Sequence, residues 1–248
     1  MDINLLISGT LVLGTGGIFH LLENKIPLET VNRKKHFAFD VLVIFITTVL
    51  VAFISIWLLE GYIREWLILN FELMNSILLW PLGFRIILAL IIGDFGYYVV
   101  HRLMHIGPFW RTHVFHHSIQ EIYWFSGLRT SALNSLVIRL PYLVGVCMFG
   151  ISASVAAVIA ISLGIVNFWA HSNINISFGI LGYVFITPSF HRVHHSMAEN
   201  AIDRNFGNIL SCWDYLFGTA VNPTKYLNES EKGFEVPQED VLRQLVGL

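Results

Sequence analysis

Apolar residues run along this chain in long stretches separated by short polar ones, and the stretches set out the elements. The first, INLLISGTLVLGTGGIFHLL, covers residues 3–22. The second extends from about 39 to 59, with VLVIFITTVLVAFISIWLL at its centre, and the third from about 84 to 100. A helix crosses a bilayer core with about 20 residues, so each stretch predicts a membrane span. Residues 131–170 form a mostly apolar block of 40 residues. One helix of that length would measure about 60 Å, about twice the bilayer core. The block therefore predicts a hairpin, turning near Phe149-Gly150-Ile151-Ser152. Residues 60–82 mix Arg64, Glu65 and Glu72 with tryptophans and leucines, which predicts an amphipathic segment lying in the interface. Residues 172–186 are apolar but too short to cross and predict a second interfacial segment. Thr187-Pro188, an N-cap residue followed by proline at the first helical position, predicts a helix start.

Composition agrees with the pattern. Apolar residues make up 55% of the chain and charged ones 13%, with a mean hydropathy of +0.64; soluble domains average about 25% charged. The first stretch starts after Asp2, lacks a basic flank and has no small-residue cleavage site, so it reads as a retained span and not a signal peptide. Lys25, Arg33, Lys34 and Lys35 crowd the loop after it, which places that loop in the cytoplasm. Alternation then carries the N-terminus outside, and a hairpin returns residue 171 to the cytoplasmic side where residue 101 lies. The C-terminus is expected there too. A net charge of −2 offers nothing to a nucleic acid, and Cys147 and Cys212 predict no disulfide.

Histidine changes the picture from membrane protein to metalloprotein. Of eleven histidines, five fall in the seventeen residues from His101 to His117 and three in HRVHHS at 191–196. His101 and His105 are spaced i, i+4; His113, His116 and His117 are i, i+3, i+4, and His191, His194 and His195 repeat that pattern. Those spacings put the rings on one helix face, and neutral imidazole is the commonest metal ligand. His171 stands alone at the end of the 131–170 block. Nine imidazoles are too many for one ion, so the pattern predicts a two-metal site. His20, inside the first span, and His36, in the basic loop, are given no ligand role.

Four further residues are candidates for groups behind the ligands. Asp94 is an acid inside a membrane stretch, which marks a functional site by default, and Asp94, Tyr98, His101 and His105 share a helix face. Glu121 and Glu199 each follow the last histidine of a cluster by four residues, in HHSIQE and HHSMAE. If both helices continued a further turn, each carboxylate would accept the ring N–H of a metal-bound imidazole. Arg139, within the 131–170 block, is expected to snorkel or to pair with Asp94 or a lipid head group.

HRLMH, HVFHHS, the single histidine of FWAHSNI, TPSFHRVHHS and then DRNFGNILSCWDYLFGT, in this order, resemble the fatty acid hydroxylase/sterol desaturase superfamily over about residues 90–220. The resemblance implies an all-α integral membrane bundle of about four transmembrane helices, one domain over 1–248, with a cytoplasmic helical cap holding the metals. It implies His101, His105, His113, His116, His117, His171, His191, His194 and His195 as ligands of two iron ions. It implies an enzyme that uses dioxygen to hydroxylate or desaturate a C–H bond of a fatty acyl, sterol or alkyl-glycerol lipid drawn from the bilayer. Nitrogen ligands without thiolates suit such iron, and zinc would compete on overexpression. No haem-binding segment is apparent, so electrons are expected from a separate b-type cytochrome, ferredoxin or reductase. Residues 120–135, QEIYWFSGLRTSALNS, depart from the Asn-rich, Thr-Ala-Leu-Arg-like version of many relatives. Two other classes compete: a membrane zinc hydrolase, for which no HExxH pairing is present, and a metal transporter or sensor, for which only Asp94 and Arg139 lie well inside the stretches.

Overall fold

The computed structural model describes residues 3–34, 37–38, 40–45, 66, 69–70, 76–226, 232–233 and 241–248. The expected second span at 39–59 and the interfacial segment at 60–82 lie largely outside the described residues. Within the described residues the chain is helical, with three isolated bridges and no strand.

Three long helices point the same ends at one place. Helix α1 (Ile3–Lys25), α2 (Leu82–Met104) and α6 (Ala153–His171) all finish on the side where the histidines gather. α2 and α6 are long and apolar enough to cross a membrane, and only 22% of each span is buried. Leu82, Phe84, Ile87, Ile91 and Phe95 of α2 face outward. A core helix of a soluble protein would hide such residues; these apolar outer faces suit lipid.

The 131–170 block folds back on itself where its sequence predicts. α5 (Leu140–Met148) ends at Phe149, Gly150 takes φ +57°, and α6 starts after Ser152. Arg85 of α2 closes the turn by donating to the Phe149 and Gly150 carbonyls, at 3.0 Å each. The first arm is broken, because α4 (Ala132–Val137) and α5 are separated at Ile138–Arg139. Pro141 supplies the reason, since its ring clashes with the carbonyl four residues back and has no N–H to give it.

Small residues let α2 and α5 approach closely. A Cβ on Gly145 would sit 2.7 Å from the Ala89 carbonyl oxygen, and one on Gly93 would meet Tyr142. Behind this seam lie Val146, Phe149, Ile151, Ala156 and Ile159. α1 packs on α6 through Phe19, Phe168 and Ile174. The rest is short: α3 (Trp110–His117), α7 (Pro188–His194), α8 (Cys212–Leu216) and α9 (Val241–Val246). These, with the loops between them, cover the histidine side.

Candidate metal centre

All nine histidines of the expected set come together, and they divide into two groups. His101, His105, His113, His117 and His194 form one; His116, His171, His191 and His195 form the other. Within each group the candidate ligand atoms lie within 4.8 Å of one another. His20 is exposed on α1, and His36 is outside the described residues.

Four helix C-termini deliver them. His101 lies in the last turn of α2 and His105 caps it. α3 carries His113, His116 and His117 and stops there. His171 is the last residue of α6. α7 begins as predicted, with Thr187 Oγ1 accepting from Phe190 N at 3.2 Å, and carries His191 and His194 to its C-cap His195. The negative ends of these helix dipoles favour a cation at their meeting point.

Hydrogen bonds fix which ring nitrogen is free. His101 Nδ1 lies 2.7 Å from the Phe206 carbonyl oxygen, His194 Nδ1 2.8 Å from that of Arg204, and His105 Nδ1 2.8 Å from Asp203 Oδ1. In the second group His116 Nδ1 is 3.0 Å from the Arg129 carbonyl and His171 Nδ1 3.0 Å from that of Asn167. His113 Nδ1 meets Asn134 Oδ1 at 2.7 Å. Carbonyl and carboxylate oxygens only accept, so each of these Nδ1 atoms carries the proton and each Nε2 presents a bare lone pair.

Those lone pairs face each other. His101 Nε2 and His113 Nε2 are 3.0 Å apart, and His116 Nε2 and His171 Nε2 are 3.2 Å apart. With both protons committed to Nδ1, neither pair can be a hydrogen bond. The rings cannot easily gain a second proton either. Burial pushes His113, His117, His191, His194 and His195 well below the ordinary histidine range, and takes His116 down to about 4. His105 Nε2 is buried with no partner. A positive charge between the nitrogens satisfies all of this. Two nitrogens about 2.1 Å from one ion are about 3.0–3.4 Å apart between right and tetrahedral angles. The donor set fits a bound metal.

The groups behind the ligands differ from those expected, and two expectations are corrected. Glu121 accepts from Asn32 N at 2.8 Å, and Glu199 is exposed. Neither stands beside its histidine, because α3 ends at His117 and α7 at His194, so neither helix reaches a further turn. Asp94 and Tyr98 also have no hydrogen bond to a histidine among the described residues, and act one step further out. Asp94 accepts from Ile209 N, Leu210 N, Trp213 Nε1 and Tyr142 Oη, at 2.9, 3.1, 2.9 and 2.6 Å. Tyr98 Oη is 3.0 Å from Thr219 Oγ1, which donates to Asp214, and Asp214 accepts from Phe206 N and Gly207 N. Both residues thus moor the segment after residue 203 to α2.

That segment holds what the sequence reading missed. Asp203, Arg204 and Phe206 supply the acceptors for His105, His194 and His101, three rings of one group. The turn needs left-handed backbone at Asp203 (φ 56°) and Asn205 (φ 58°), which Asp and Asn tolerate better than other non-glycine residues. The alternation of Asp203 and Asn205 was the available signal. Asn134 had none; it reaches His113 because Ser131 caps α4, accepting from Asn134 N at 3.0 Å. Gly127 is also required, since a Cβ there would overlap the His171 ring.

A cavity of about 220 Å³ runs between α2, α4, α5 and α6 to this centre. His113 and His116, one from each group, line its inner end, and Val146, Ala156 and Ile159 line its far end. Arg139 opens onto it and donates to the Ser135 carbonyl at 3.2 Å; it forms no ion pair with Asp94.

Comparison with known proteins gives the same region. The model of a family described as fatty acid hydroxylase matches residues 86–219, more than half of the chain. The chain is 31% identical to ornithine lipid hydroxylase OlsE of Rhizobium tropici over 147 residues, 59% of this chain and 44% of that protein. It is 35% identical to alkylglycerol monooxygenase of Homo sapiens over 162 residues, 65% of this chain and 35% of that protein. For the alkylglycerol monooxygenase of Caenorhabditis elegans the identity is 34% over 141 residues, 56% and 28% of the two chains. The matched region is thus under half the length of each of these relatives. No solved structure matches.

Proposed function

The chain belongs to the fatty acid hydroxylase family, and from that premise we propose that it is a membrane-bound di-iron monooxygenase that hydroxylates a C–H bond of a lipid. The observation that carries the reading is the pair of facing lone pairs, His101 with His113 and His116 with His171, one in each group of rings. Each group calls for its own cation, which supports two metal ions per chain. His101, His105, His113, His117 and His194 would hold one; His116, His171, His191 and His195 the other.

Iron bound there would supply the redox chemistry that no side chain has, activating dioxygen toward a C–H bond. The balance is one dioxygen, two electrons and two protons for one lipid hydroxyl and one water. A separate donor, a b-type cytochrome, ferredoxin or reductase, would deliver the electrons. The chain's own residues do the rest. The six Nδ1 acceptors hold the rings in the ligating tautomer, and the burial of the centre keeps the imidazoles neutral. The cavity excludes bulk water and brings a lipid to the junction of the two groups. Relatives called hydroxylase and monooxygenase favour hydroxylation over desaturation.

We read residues 1–248 as one membrane-embedded unit of three single spans and the 131–170 hairpin, with the N-terminus outside. The basic loop, the metal centre and the C-terminus lie in the cytoplasm. α1 belongs to the unit because Glu23 Oε1 accepts from Trp124 N and Asn173 N, at 2.7 and 2.8 Å. The test is purified protein loaded with iron, supplied with an electron source, lipid extract and ¹⁸O₂. Two metal ions per chain and one labelled oxygen in a lipid product are expected. Metal that stays at or below one per chain under full loading would refute the two-metal reading, and unlabelled product the oxygenase.

A further inference from the structure

The cavity has two chemically different ends. Its far end, at Val146, Ala156 and Ile159, belongs to the apolar core beside the Phe149–Ser152 turn. Its inner end is polar, where Asn134 holds His113, and Ser135, Asn167 and Arg139 add further polar groups to the lining. From Asn167 to Ala156 the wall follows α6 for eleven residues, about 16 Å. An amphiphile fits that gradient in one direction only, with its chain along α6 and its polar end beside the histidines.

Arg139 says what that polar end carries. A guanidinium within a membrane segment is costly and marks a functional site. Arg33, Arg129 and Arg192 each pair with a carboxylate, Glu23, Asp40 and Glu29 respectively. Arg139 pairs with none among the described residues; its described bond goes to the Ser135 carbonyl and uses one of five N–H donors. It lies one helical turn after Ser135, whose neighbour in sequence, Asn134, holds His113, and its side chain is partly exposed. The cation therefore lies on the wall of the cavity, without a carboxylate partner among the described residues.

We propose that Arg139 binds an anionic group, phosphate or carboxylate, at the charged end of the lipid substrate. The C–H bonds offered to the metal centre are then those near that end, and the distal chain lies along α6. This rests on the lipid-oxygenase reading and adds to it the class of substrate and the region attacked.

Binding tests it apart from turnover. Full-chain, iron-loaded protein in phosphatidylcholine nanodiscs is titrated with three amphiphiles of equal chain length: hexadecylglycerol, its phosphate monoester and hexadecanoate. At least one anionic amphiphile is expected to bind about 10- to 100-fold tighter than the uncharged one, as charge-assisted hydrogen bonds to an arginine would give. Comparison of the two anions identifies phosphate or carboxylate. Arg139→Gln should abolish the preference and Arg139→Lys should keep most of it, with metal content showing that each variant is folded. If Arg139→Gln loses its metal, Arg139→Met replaces it. No anionic preference in the wild type, or one that survives loss of the guanidinium, overturns the proposal; the latter outcome would make Arg139 a contact for bulk lipid head groups. With ¹⁸O₂, label near the charged end supports it and label at the chain terminus overturns it. Tight, Arg139-dependent binding without any labelled product would instead refute the oxygenase reading and leave the anion site standing.

Discussion

At the residue scale, six of the nine candidate ligands take their tautomer from a neighbour that is not itself a candidate. Asn134 is the clearest case, because a side chain and not the backbone fixes the His113 tautomer. Asn134→Ala should therefore lower metal affinity about 10- to 100-fold, the usual effect of losing such an orienting group. Chelator competition measures it, and unchanged affinity would show that His113 needs no acceptor. Burial makes a second prediction. His116 is taken down to about 4, whereas an unfolded chain's histidines titrate near 6.5. Between those values the unfolded state binds more protons than the folded one, so stability rises with pH there. The metal-free protein should hold its full stability above pH 6.5 and lose it progressively as pH falls toward 4. Thermal unfolding of the apo-protein from pH 7.5 to 4.5 checks this; a flat profile contradicts it.

At the scale of elements, the site is where four helices end, so what sets their separation sets the spacing of the histidines. The α2–α5 seam closes because Gly145 lies on the Ala89 carbonyl. Gly145→Val should push the helices apart and cost about 1–3 kcal/mol, as overpacking does. Gly17→Ala meets nothing within 4 Å on α1 and should leave the melting temperature the same or higher, since alanine is the better helix former. Equal melting temperatures for the wild type and Gly145→Val would mean that this seam is looser than its glycines indicate. Asp94 acts on the same seam from the other side, tying the segment that supplies the Phe206 and Arg204 carbonyls to α2.

At the scale of the whole molecule, orientation decides which compartment would supply electrons to the proposed reaction. The basic loop after α1 carries Lys25, Arg33 and Lys34, and α1, α2 and α6 all end on the histidine side. A reporter fused after Leu248 should therefore score as cytoplasmic, like one inserted in the loop at 25–34. An external signal after Leu248 would overturn the proposed orientation and the choice of a cytoplasmic electron donor.

The long-range features were legible because they repeat along the chain. Apolar stretches announce helices of bilayer length, a 40-residue block must turn, and Phe149–Ser152 offered the glycine for it. Histidines at i, i+3 and i+4 converge wherever a helix forms, so the nine candidates needed no tertiary knowledge to be collected. Three things were decided only in the folded chain. The division into five and four depends on how helix ends meet, and the last residues of α3 and α7 contribute to both groups. The acceptors behind the rings are mostly backbone carbonyls, which every residue has and no sequence pattern marks. Glu121 and Glu199 were chosen by extending helices that in fact stop, since a helix end is set by caps and packing as much as by spacing. Arg139 is the same lesson in reverse: the sequence marked it as a charge in an apolar block, and only the fold put it on the cavity wall without a carboxylate partner among the described residues.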